Sequence, residues 1–402
     1  MPVVYPHARR ARYKEFFMHC QTIVLGAGIV GVCAALHLQA RGVQVILIDR
    51  QQPGNGTSHG NAGLIERSSV IPYAFPRALS SLVRYGLNQQ SDVRYSWRYL
   101  PKVAPWLFTY WQNSSPPRLN LAARAMLPLV QRCVDEHDVL IEAAGMSDLI
   151  KANGWIEVFR NQPAFIKAQA DAHALRPYGL RYEVLDGEQL REREPSLSEQ
   201  AVGGIHWLDP KTVSDPGALT RGYAALFIKR GGQFIQGDAL TLKQLDGGWQ
   251  VQTEQGPVSA EQAVIALGPQ APELFKPLGY RIPLAIKRGY HMHYSSLHDA
   301  QLQHSICDAQ GGYVLAPMAQ GIRLTTGIEF AESSDQANDI QLSRCEALAR
   351  KFYPLGERLD PEPWLGRRPC LPDMRPVIGP AVHHPGLWFN FGHRSEERRV
   401  GK

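Results

Sequence analysis

The chain has 402 residues, 44% of them hydrophobic and 20% charged, a balance that suits a globular enzyme of two domains and excludes a disordered or fibrous protein. Its net charge of +6 is gathered at the ends: residues 1–17 carry four basic side chains against Glu15, and residues 394–402 carry four against Glu396 and Glu397, which leaves +1 on the body. A nucleic-acid footprint needs cations concentrated on the folded domain, so that partner is not expected.

Residues 1–17 read as an extension ahead of Met18, without the apolar run of a signal peptide. From Thr22 the sequence TIVL predicts a short strand. Gly26-Ala27-Gly28-Ile29-Val30-Gly31 follows, then an apolar helix to Arg41 with Gly42 at its end, then a second strand over 43–49. The near-continuous hydrophobicity of the second strand fits a parallel strand covered on both faces. The glycines interrupt the run too early for a membrane span.

Residues 95–111 hold seven aromatic residues, interrupted by Pro101 and Pro105. Core packing is the leading explanation, with a substrate lid or a membrane-contact surface as the alternatives. Further on, 118–145 has helical periodicity, 154–159 (GWIEVF) reads as a strand, Asp215-Pro216 opens a helix, 231–237 is a strand, and 262–268 (QAVIALG) is a buried strand ending at Gly268. The six cysteines are scattered, with no spacing that suggests a metal or a redox pair, so no metal is expected and a reducing cytoplasm fits.

The Gly26–Gly31 fingerprint lies between a strand and a helix, the context that gives it meaning. The first glycine permits the turn, the second lets backbone approach a pyrophosphate, and the third lets helix pack on strand. The phosphates then face the positive end of the helix. Asp49 ends the second strand, 21 residues beyond Gly28, where a carboxylate accepts hydrogen bonds from an adenosine ribose. These features do not separate FAD from NAD.

Three later segments resemble the DAO family of FAD-dependent amine oxidoreductases, and within it the D-amino-acid dehydrogenase branch. They are Gly56-Thr57-Ser58-His59-Gly60-Asn61-Ala62-Gly63, then Lys287-Arg288-Gly289-Tyr290-His291, then the run from Gly366 to Gly379 containing Arg368, Pro372, Asp373 and Pro376. The resemblance implies FAD as cofactor. It places Arg50, Thr57, Ser58, Asn61, Ala62, Gly63 and Gly268 with the fingerprint and Asp49 in the cofactor site. Near the reacting centre it places Arg368, Tyr290 and His291, with Arg368 clamping the substrate carboxylate through a planar fork that never loses its charge. No base role is assigned to His291.

The fold it implies is α/β plus α+β: a Rossmann-like FAD-binding domain (18–95, 201–275 and 365–393) with an inserted substrate domain (96–200 and 276–364) built on an antiparallel sheet with helices on one face. The implied reaction is hydride transfer from a D-amino acid to FAD, then hydrolysis of the imino acid to a 2-oxo acid and ammonia. The electrons pass to a quinone or another acceptor in a dehydrogenase and to oxygen in an oxidase. Three alternatives stand beside it: a glycine, sarcosine or hydroxyproline oxidoreductase on the same fold, an NAD-dependent dehydrogenase, and an inactive truncated product. The last arises because residues 394–402 depart from the family pattern and read as a non-native tail. The expected location is cytoplasmic, with peripheral contact at the inner face of the plasma membrane left open.

Overall fold

The structure, a computed structural model, describes residues 18–393; the expected extension 1–17 and tail 394–402 lie outside the described residues. Five strands run parallel in the first sheet, in the order Gln233–Leu245, Val45–Asp49, Met18–Leu25, Gly256–Ile265 and Leu387–Phe391. Val377–Pro380 adds an antiparallel edge, and Gly248–Thr253 bridges the outer parts of Gln233–Leu245 and Gly256–Ile265.

Successive residues of the central strands bury opposite faces. Val24, Leu47 and Val264 pack under the helices Ile29–Gln39 and Pro216–Lys229, whereas Ile23, Ile46 and Ile265 pack on the other side against Leu274, Phe275 and Tyr280. Two-sided burial is why these strands read as unbroken apolar runs. Asp215 caps the Pro216–Lys229 helix by accepting from Ala218 N at 2.8 Å, as its position before a proline suggests.

The second sheet is larger and mostly antiparallel. It runs from Val93–Tyr95 through Ile328–Phe330, Ala285–Ser296, Gly321–Thr326, Tyr313–Met318, Ser305–Asp308, Trp155–Phe159 and Gly203–Trp207 to Tyr182–Asp186. Trp364–Cys370 and Leu355–Arg358 also pair with Ala285–Ser296. Parallel pairs occur twice, between Ser305–Asp308 and Trp155–Phe159 and between Ile328–Phe330 and Val93–Tyr95.

This sheet departs from the sequence reading in two ways. Val93–Tyr95 and Gly203–Trp207, assigned to the first domain from sequence, and Trp364–Cys370, assigned to it from residue 365 onward, belong to the second sheet. Gly203–Trp207 is buried at every position, so its pattern could not say which sheet it joins. Helices also cover both faces rather than one. Gly187–Arg193 and Ile340–Ala349 pack with Tyr290, Met292 and Leu324, while Gln162–His173 packs with Phe159, Ile205 and Val314.

From residue 100 onward the aromatic stretch lies in a continuous helix, Leu100–Asn113, with Pro105 inside it, while Tyr95 ends the strand Val93–Tyr95. Trp106 and Tyr110 are buried, as core packing predicts, but Trp97 and Phe108 are exposed.

Candidate functional site

The carboxyl ends of Met18–Leu25, Val45–Asp49 and Gly256–Ile265 meet at one edge of the first sheet, the position where open parallel sheets bind nucleotides. Gly26 turns there with φ +107°, a conformation that suits glycine, and a Cβ on it would lie 2.5 Å from the Ala266 carbonyl. Gly31 is held tighter: a Cβ would sit 1.8 Å from the Gly26 carbonyl oxygen. At Gly28 the nearest atom to an added Cβ is Ser58 Oγ, at 3.3 Å.

Gly28, at the N-cap of the Ile29–Gln39 helix, offers no side-chain cap, which leaves the first N–H groups of the helix to other acceptors. Ile29 N donates to Ser58 Oγ at 2.9 Å. Asp49 Oδ2 accepts from Ala27 N at 2.7 Å and Oδ1 from Gln51 N at 2.9 Å, which anchors the carboxylate beside the turn. Val30 lies in the same first turn, and Gly268 follows Leu267, whose Cα comes within 3.2 Å of a Cβ built on Gly26. Arg50 is exposed, and its carbonyl accepts from Gln236 Nε2.

The 56–63 loop then carries the cradle across to the second sheet. Thr57 Oγ1 donates to the Arg367 carbonyl at 2.9 Å, and the His291 Nδ1–H donates to the Gly60 carbonyl at 3.0 Å. Asn61 Oδ1 accepts from Gly63 N at 2.8 Å, holding Gly63 at φ +68°. Arg323, which the sequence did not single out, donates to the Asn61 carbonyl at 2.7 Å and to His293 Nε2 at 3.0 Å, while His293 Nδ1–H donates to Asp360 at 2.8 Å. Burial brings the Arg323 guanidinium down to about 10. Thr57, Asn61 and Ala62 share a small cleft with Trp364, Gly366 and Arg368.

Register decides which polar residues of Ala285–Ser296 face this cleft. His291 stacks on Trp364 with ring centroids 4.8 Å apart. Burial, reinforced by the charge of Arg323, lowers its pKa to about 2. With Nδ1–H committed to a carbonyl, it stays neutral at physiological pH and anchors the loop.

Tyr290 is one residue away and therefore on the opposite face. Its hydroxyl donates to Glu329 Oε2 at 2.6 Å and accepts from Arg288 Nη2 at 2.8 Å, and burial followed by the Glu329 bond raises it to about 12. Glu329 also pairs with Arg94 and Arg288. Tyr290 therefore belongs to a buried structural network, which corrects its placement near the reacting centre.

Arg368 is the register partner of Lys287. Its guanidinium donates to the carbonyls of Gly327 at 3.0 Å and Thr326 at 3.2 Å. Gly289 provides the space it occupies, since a Cβ there would lie 2.6 Å from Arg368 Nη2. Lys287, for its part, lines a separate apolar cavity of about 280 Å3 with Phe75, Tyr110, Phe330 and Met374.

The profile of the DAO family, described as FAD dependent oxidoreductase, matches residues 21–397. The chain belongs to the DAO family of FAD dependent oxidoreductases. A D-amino acid dehydrogenase of Rhizobium johnstonii is 30% identical to it, over 93% of this chain and 91% of the relative. A D-amino-acid oxidase of Bradyrhizobium diazoefficiens is 29% identical over 92% and 89%. Among solved structures, glycine oxidase from Geobacillus kaustophilus aligns with a TM-score of 0.69 at 19% identity, over 94% of this chain and 90% of that one; at that identity it shows the shared fold. This DAO member is an FAD-dependent amino-acid oxidoreductase. The glycine cradle, the N-terminal end of the Ile29–Gln39 helix and Asp49 fit the dinucleotide part of FAD, and the 56–63 loop joins that cradle to the cleft at the second sheet.

Proposed function

We propose that the enzyme oxidises D-amino acids to imino acids, which water hydrolyses to 2-oxo acids and ammonia, and that it passes the electrons to a quinone or another acceptor as a dehydrogenase. The observation that carries the reading is Arg368, a guanidinium fixed on two carbonyls at a cleft lined by the 56–63 loop. The names of the full-length relatives, several of them D-amino acid dehydrogenases, supply the configuration and the dehydrogenase preference.

FAD supplies the two-electron chemistry when bound. The chain's part is to orient. Arg368 holds the α-carboxylate bidentately, so only one enantiomer presents its Cα–H to the cofactor, and the amine releases its proton to solvent. Asp49 and the Gly26–Gly31 turn would hold the adenosine and pyrophosphate portions, with Ser58 at the helix end. The 56–63 loop would run along the flavin, and His291 keeps that loop docked.

Anaerobic bleaching of the flavin by single substrates tests the reading. D-Amino acids are expected to reduce the flavin and their L-enantiomers to leave it oxidised. Faster reduction by glycine, sarcosine or hydroxyproline would move the assignment to the rival activity on the same fold.

Peripheral contact with an anionic membrane belongs to the same proposal. Between Glu66 and Asp135 the chain has nine Arg and Lys residues against one acid, Asp92, and Asp92 is buried. On the Leu79–Gly86 helix and its cap, Leu79, Val83 and Leu87 form a stripe at four-residue spacing, each more than half exposed, and Trp97 and Phe108 are exposed as well. An apolar stripe set among cations suits an interfacial helix. No helix among the described residues is long and apolar enough to cross a membrane. Co-sedimentation with phosphatidylglycerol vesicles but not phosphatidylcholine vesicles is expected, and Val83→Glu should weaken it; equal recovery with both lipids would count against the contact.

A further inference from the structure

Val314, Thr325, His291 and Trp364 lie in register on four neighbouring strands of the second sheet. Directly paired residues point to the same face, so Thr325 shares a face with His291 and Trp364. Arg368 comes to this face from the Trp364–Cys370 strand, four residues beyond Trp364. Its side chain passes over Gly289, where a Cβ would lie 2.6 Å from Nη2, and donates to the carbonyls of Thr326 and Gly327. Those are the two residues that follow Thr325. Thr325 and Arg368 accordingly line one cleft, together with Trp364, Gly366 and the 56–63 loop.

The polar side chains that the loop brings to this cleft are engaged with backbone. Thr57 Oγ1 donates to the Arg367 carbonyl at 2.9 Å, and Asn61 Oδ1 accepts from Gly63 N at 2.8 Å. Thr325 differs. It is 4% exposed, and its Oγ1 has no hydrogen-bond partner among the described residues. A buried hydroxyl left unpaired has given up its bonds to water without replacement, which is costly, and folded proteins pair nearly all such groups. Valine has nearly the same shape and would fill this position in the sheet without that cost. A hydroxyl is accounted for here by a polar group that enters the cleft.

We infer that Thr325 is a further substrate-binding residue, whose hydroxyl donates a hydrogen bond to the α-carboxylate that Arg368 holds. The inference rests on the proposal that Arg368 is the carboxylate clamp. A carboxylate offers about four lone-pair sites, of which a planar fork engages two. The hydroxyl supplies a third donor from the very strand on which the fork is fixed. Branching at Cβ restricts χ1, so the hydroxyl is held in place before substrate arrives.

Thr325→Val and Thr325→Ser, each as the FAD-loaded full chain, test this. The first probe is propionate, which has the carbon skeleton and carboxylate of alanine but no amine, with binding read from the perturbed flavin spectrum without turnover. Thr325→Val is expected to weaken propionate binding by about 10- to 100-fold, the scale of a hydrogen bond to a charged group. It should lower kcat/KM for D-alanine by a similar factor. Thr325→Ser keeps the hydroxyl and should retain most of both.

The second measurement is the unfolding midpoint without propionate or substrate, where Thr325→Val should equal or exceed the wild type because a methyl replaces an unpaired hydroxyl. Loss of a structural hydrogen bond would move it the other way. The flavin potential of the same samples should not change. A lowered midpoint would make the hydroxyl structural, and a shifted potential would assign it to the flavin; either overturns the inference. So would propionate binding that is absent in the wild type or unchanged in Thr325→Val, the latter assigning the hydroxyl to the amine if D-alanine alone is affected. If no D-amino acid reduces the flavin yet propionate binding still depends on Thr325, the carboxylate site stands and the D-amino-acid reading fails.

Discussion

Arg368→Ala is expected to lower kcat/KM for the amino-acid substrate by about 30- to several-thousand-fold, the range set by about 2–5 kcal/mol for truncating one partner of a buried charge pair. The flavin should remain bound. The size of the effect follows from how the guanidinium is held: it donates to the carbonyls of Gly327 and Thr326 and lies against Gly289, which has no side chain to displace it. Those contacts fix the plane of the fork before substrate arrives, so little rotamer entropy is lost on binding. Arg368→Lys keeps the charge but not the plane, and it should recover only part of the loss. Stopped-flow reduction at subsaturating substrate, with flavin content measured on the same samples, reads both effects. Wild-type turnover in the alanine variant would remove Arg368 from the carboxylate site.

The parts of this site that could be read from sequence are those whose side-chain pattern or glycine spacing admits one physical solution. Strand, Gly26–Gly31, helix and strand follow in register, and the tight contacts at Gly26 and Gly31 show why glycine is required there. The 285–296 strand is different. Its polar residues fall on both faces: Lys287 lines the apolar cavity and His291 packs on Trp364 and the 56–63 loop, while Arg288, fully buried, and Tyr290 join Glu329 behind the sheet. Alternation identifies a core face only when one face is apolar, so Tyr290 and His291 could not be separated without the pairing partners. The same holds for Arg367 and Arg368, neighbours that the ladder sends to opposite sides. Arg323 escaped notice because its partners, Asn61 and His293, are remote in sequence.

Gly28→Val is expected to leave a folded protein that purifies without flavin, whereas Gly31→Val should fail to fold its first domain. The two glycines are three residues apart, yet the obstacles differ in kind. A Cβ on Gly31 would sit 1.8 Å from the Gly26 carbonyl oxygen, a backbone atom that cannot withdraw without pulling the helix from the sheet. A Cβ on Gly28 meets only Ser58 Oγ, at 3.3 Å, and a serine side chain can rotate away. The valine then survives in the fold but stands over the helix end where the pyrophosphate needs bare backbone. Asp49→Ala tests the neighbouring element more gently. It leaves Ala27 N without its 2.7 Å acceptor, which costs about 1–3 kcal/mol for a buried donor, and it should weaken flavin binding without abolishing it. The ratio of flavin to protein absorbance after purification, together with the midpoint of thermal unfolding, separates these outcomes. Full flavin occupancy in Gly28→Val would place the pyrophosphate somewhere other than this turn.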